Sequence, residues 1–113
     1  MHRTLPFSLD DLAADHKSVQ ATLNDACSKR RQKYWLRGVA QVEDHVYFFL
    51  LPRVGNSADE DYVLAPLPEI PSHQDMIGIL DDRWAAGFDM IGSCRVYETL
   101  FLVFARGRGA KRS

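Results

Sequence analysis

PSHQDMIGILDDRWAAGFDMIGSCRVYETLFLVFAR, residues 71–106, is the stretch whose reading decides the fold. Ser72 is placed to cap a helix that carries Met76, Ile77, Leu80 and Trp84 along one side, with Asp75 at N3 as capping-box partner. Gly78 in the interior of that helix costs ~1 kcal/mol against alanine. Gly87 suits the left-handed position just past its last turn. Phe88 to Cys94 and Leu100 to Arg106 then read as two strands of a hairpin joined across Arg95 to Thr99. Upstream, Tyr62 to Leu67 is a short strand, and Pro66, Pro68 and Pro71 keep the chain extended into the helix. A polar, acidic loop from Gly55 to Asp61 precedes it.

The first half repeats this logic with a longer helix. Ser8 before Leu-Asp-Asp is a helix start, the acids of the first turn complementing the dipole. Leu9, Leu12, His16, Val19, Leu23 and Ala26 recur at alternating steps of three and four, which predicts one helix over 9–32 burying a narrow stripe. Lys29, Arg30, Arg31 and Lys33 close it with cations. Tyr34 to Val42 reads as a strand in which Gly38 marks a bulge or a close approach. After the turn Glu43-Asp44-His45, Val46 to Leu51 is almost wholly apolar, as expected of a strand covered on both faces or of an interface. A shift of 54 residues lays Gly38 on Gly92, Val42 on Val96 and 46–50 on 100–104, raising the idea of a weak helix-hairpin repeat.

These elements predict an α+β fold: helices 9–32 and 73–86 packed on one face of an antiparallel sheet of about five strands. The expected organisation is a single domain over 1–106 followed by a disordered basic tail, 107–113. A chain of 113 residues suits one domain that buries ~65% of its unfolded surface. Its 46% hydrophobic and 26% charged content is that of a globular protein, which argues against wholesale disorder. The longest apolar run, Val46 to Pro52, falls far short of the ~20 residues that span a bilayer, and the first ten residues lack a secretory apolar core. We expect no membrane association and a cytoplasmic location.

The net charge of −1 conceals an asymmetry: five of the 14 cations lie between Lys29 and Arg37 and four between Arg106 and Arg112. Two cysteines, Cys27 and Cys94, in no C-x-x-C frame, argue against a disulfide scaffold or a thiolate zinc site and for buried apolar fillers. Only Cys27, near the basic cluster, has the surroundings of a reactive thiol. The histidines, at 2, 16, 45 and 73, have no metal-ligand spacing, so we expect no metal and no cofactor. Glu43-Asp44-His45 is a solvated turn before it is an acid/base site, and His16 sits at the edge of the helical stripe.

From Tyr62 to Arg106 the order strand, helix, strand, strand resembles a group of short bacterial proteins known as a domain of unknown function. The residues that carry the likeness are Leu80, Ala86-Gly87-Phe88-Asp89-Met90 and Phe104-Ala105-Arg106. Phe88 and Asp89 stand where that group has tryptophan and glutamate, and Trp84 is one turn away from the same space. The resemblance implies a fold and carries across no catalytic residue.

No catalytic constellation is legible, and a non-enzymatic module is the expectation. The apolar strands exceed what one thin sheet buries, and each buried Leu or Phe is worth ~1.5–3 kcal/mol. We therefore expect a homo-oligomer that binds a macromolecular partner, such as another protein. The alternative is an RNA- or DNA-binding accessory protein in which Lys29, Arg30, Arg31, Lys33 and Arg37 meet phosphates while Tyr34 and Trp35 stack on bases. A second alternative is a small-molecule sensor whose pocket between helix and sheet is lined by Trp35 or Trp84.

Overall fold

Residues 1–29, 31–54, 59–67 and 69–107 are described by the structure, a computed structural model. Eight elements follow one another: β1 (Arg3–Ser8), α1 (Leu9–Cys27), β2 (Tyr34–Val42), β3 (His45–Pro52), β4 (Glu60–Leu67), α2 (His73–Ala85), β5 (Asp89–Val96) and β6 (Thr99–Gly107). The strands form two antiparallel sheets of three, in the orders β1-β3-β2 and β4-β6-β5. The expected single sheet of about five strands is therefore incorrect. A sixth strand, β1, pairs with β3 from Arg3↔Leu50 to Ser8↔His45, and the hydrogen-bonded ladders do not join into one sheet.

Each half of the chain is a β-α-β-β unit with its last strand in the middle of its sheet. The 54-residue shift matches the irregularities as well as the strands. The bulge between Leu36 and Gly38 falls on that between Met90 and Gly92. The left-handed Glu43 falls on the left-handed Tyr97, both at φ 55°. Both hairpins turn at those residues, whose backbone twist suits a tight connection.

The two helices do not share a face, contrary to expectation. Side chains alternate across a strand, and along β6 the alternation serves two cores. Phe101, Val103 and Ala105 join one cluster with Leu12, Val19, Leu23, Ala26 and Cys27 of α1. Leu102 and Phe104 join another, against Met76, Ile79 and Leu80 of α2. The first cluster also takes Leu36, Val46, Phe48 and Leu50 from the first sheet, so the main core lies between the sheets, with α1 inserted in it.

The sheets meet where β2 abuts β5. The Arg95 amide donates to Gln41 Oε1 at 2.9 Å, and a Cβ at Gly92 would lie 3.4 Å from the Val39 side chain. On the open side α1 closes the gap between β1 and β4. Asn24 and Gln20 complete the free edge of β4: Asn24 donates to the Tyr62 carbonyl at 2.9 Å and accepts from its amide at 2.8 Å, while Gln20 Oε1 accepts from the Leu64 amide at 3.0 Å.

α1 is shorter than the expected 9–32 and is broken. It ends at Cys27, and Asp15 leaves helical geometry (φ −157°, ψ 82°) to accept the Ser18 amide at 3.2 Å, capping a second segment. Ser8 and Ser72 cap α1 and α2 through the amides of Asp11 and Asp75, and Gly87 adopts φ 93° past α2. No helix among the described residues is long and apolar enough to cross a membrane. Pro68, most of the loop before Asp59 and the tail beyond Gly107 lie outside the described residues.

Candidate macromolecular interface

Alternation along β3 sends Val46, Phe48 and Leu50 into the core and Tyr47, Phe49 and Leu51 the other way. Register then places Trp35 opposite Leu51, Gly38 opposite Phe49 and Ala40 opposite Tyr47 on β2, with Thr4 and Pro6 beside Phe49 and Tyr47 on β1. The result is an apolar, aromatic sheet face that no helix among the described residues covers. Phe49 is 42% and Val42 55% exposed, while Tyr47, Leu51 and Trp35 are half-buried. The matching face of the second sheet is sealed: Phe101, Val103, Cys94 and Val96 are all under 5% exposed.

The rim of the bare face is basic. A hollow of about 300 Å³ opens between Phe49 and Leu51 and is bordered by His2, Arg3 and Arg37. The Arg37 guanidinium lies 4.9 Å over the Trp35 ring and donates to Glu60 Oε1 at 2.9 Å. That carboxylate also accepts the Tyr62 hydroxyl at 2.7 Å, and the same phenol oxygen accepts the Leu36 amide at 2.9 Å. Burial, before any other cause, pushes the Tyr62 phenol well above its ordinary value.

The basic-aromatic segment is not gathered onto this face. Trp35 and Arg37 border it, Tyr34 turns into the core, and Lys29 and Arg31 are exposed beyond the end of α1. Lys33 is bound to Asp59 at 3.3 Å, a carboxylate that also holds the buried Arg53 at 2.6 Å. Arg30, the remaining member of the proposed nucleic-acid set, lies outside the described residues. Two of the cations meant for phosphates are thus satisfied by the chain's own acids, which residues 59 and 60 supply from far along the sequence. Only the fold reveals that pairing.

Of the two candidate pocket tryptophans, Trp35 lies under the Arg37 guanidinium and Trp84 borders a hollow of its own. Trp84 is 53% exposed and shares that hollow, beside α2, with Leu80, Asp81, Phe88, Asp89 and Met90. Phe88 packs on the sheet, its ring edge-on to Phe104 at 6.3 Å. Cys27 and Cys94 are buried and unlinked, and burial pushes both thiols up to about 11, which leaves neither a ready nucleophile. His45 Nδ1 sits 2.8 Å from Asp44 in the exposed turn, and His16 lies 5.3 Å from the Phe101 ring at the edge of the core. No group of three or more potential metal ligands occurs among the described residues.

Compared with protein-family models, curated proteins and solved structures, the chain matches none. The likeness of residues 62–106 to the short bacterial group therefore rests on sequence alone.

Proposed function

We propose that this chain is a small cytoplasmic, non-enzymatic module that self-associates and binds a macromolecular partner through the outer face of the first sheet. The observation that carries the reading is the contrast between two matching faces. Phe101 and Val103 are buried under α1, whereas Tyr47 and Phe49, 54 residues earlier, are half-buried and 42% exposed. A contiguous aromatic patch with a polar rim is rare on a protein that works alone, and tryptophan, tyrosine and arginine are the residues that anchor interfaces. Two unlinked, buried cysteines fit a reducing compartment.

The nucleic-acid reading loses support because Asp59 and Glu60 neutralise Lys33 and Arg37. The sensor reading keeps Trp84 alone, at the hollow between α2 and the second sheet. Light scattering over a rising concentration series tests the proposal. The wild type gains mass with concentration, and Phe49→Glu stays monomeric with unchanged circular dichroism. A wild type that is monomeric up to millimolar concentration removes self-association.

A further inference from the structure

The two units of the chain meet through a helix held between two sheets. α1 packs against Phe48 and Leu50 of its own sheet, and its core reaches across to Phe101 and Val103 on the back of the next sheet. α2 packs in the matching way on Leu102 and Phe104 of its own sheet. No third sheet lies against it among the described residues. Accordingly none of its residues is fully buried, and Ile77 and Trp84, two turns apart on one flank, are 42% and 53% exposed. The back face that lacks a helix is that of the first sheet.

We infer that α2 of one copy docks on the outer face of the first sheet of another, so that the contact between the two units of one chain recurs between chains. This rests on the reading of that face as a self-association surface and names its occupant. Charge supports a helix as occupant over a second identical sheet. Asp81 borders the hollow beside Trp84, whereas Arg3 borders the hollow beside Phe49. Face-to-face pairing of two first sheets sets cation against cation, and helix-on-sheet pairing sets acid against base. The contact joins two different patches, so it propagates head to tail into a ring or a filament and does not stop at a symmetric dimer.

Two variants decide the matter by sedimentation velocity: Phe49→Glu, which spoils the sheet face, and Trp84→Glu, which spoils the helix flank. Each is checked for an unchanged melting temperature, with Ile77→Glu as a second flank variant. Alone, each variant weakens association by about tenfold or more, the effect of losing an interface anchor. Mixed in equal amounts they form a two-chain species and nothing larger, because the Phe49→Glu chain keeps its helix and the Trp84→Glu chain keeps its sheet. If Trp84→Glu and Ile77→Glu assemble like wild type while Phe49→Glu does not, α2 is not the occupant, although the self-association reading survives. If the wild type is monomeric throughout, both fall. In that case quenching of Trp35 by a single-stranded oligonucleotide assigns the face to nucleic acid.

Discussion

The phenol of Tyr62 spans the core between the sheets: it rises from β4, accepts the Leu36 amide of β2 and donates to Glu60. Tyr62→Phe removes both bonds and leaves the buried Leu36 amide without its acceptor. An unsatisfied buried donor costs about 1–3 kcal/mol, and urea unfolding should register a loss of that size. Asp59 supplies the pH dependence. Hydrogen bonds from Arg53 first, then Lys33, hold its carboxyl below the ordinary range. A carboxyl whose folded value is depressed stabilises the fold above its unfolded value of ~3.9 and loses that contribution as pH falls through the folded value. The denaturation midpoint should therefore drop on acidification below about pH 5. Asp59→Asn should be weaker than wild type at pH 7 and show a shallower acid limb. An equally steep limb in the variant assigns the loss to other carboxylates, Asp44 with its histidine-bonded side chain first among them.

At the scale of elements, α1 acts as both a core helix and an edge protector. Through Asn24 and Gln20 it satisfies the outer backbone groups of β4, which otherwise offer a strand edge to other chains. Asn24→Ala should cost about 1–3 kcal/mol and speed amide exchange at Tyr62 and Leu64 before the rest of β4. The position of α1 was legible from its stripe, but its break was not. Leu12, His16 and Val19 continue the apolar rhythm across Asp15, so periodicity has nothing to report; the fainter signal was the Asp-x-x-Ser spacing of 15–18. β1 is hard to see in the sequence because a proline, Pro6, stands in its middle. It is an edge strand, where the missing amide breaks no ladder, and Pro66 occupies the matching place on β4. The apolar strand 46–51 reads as doubly covered or as an interface; among the described residues β6 is covered on both faces and β3 on one. The ion pairs of Lys33 and Arg37 were illegible because their partners are 26 and 23 residues away.

On the scale of the molecule, the two sheets are held as one body by the seam between β2 and β5 and by the helix they share. The seam is tight at Gly92, where even a methyl group touches Val39 at 3.4 Å. Gly92→Ala should be tolerated, whereas Gly92→Val should lower stability by about 1–3 kcal/mol, the usual penalty of overpacking. Differential scanning calorimetry of both checks this, and equal effects of the two substitutions would show the seam to be looser than drawn. The shared helix also has a consequence for how the chain is made. Translation delivers α1 and the first sheet well before the strand that must close over them, β6, has left the ribosome. Until then the Leu12–Val19–Leu23 stripe has half its shelter, and the nascent protein is a substrate for any holdase that grips greasy segments. Slow codons between Pro52 and Leu100 would lengthen that vulnerable interval, and yield in a trigger-factor-depleted translation extract would fall accordingly.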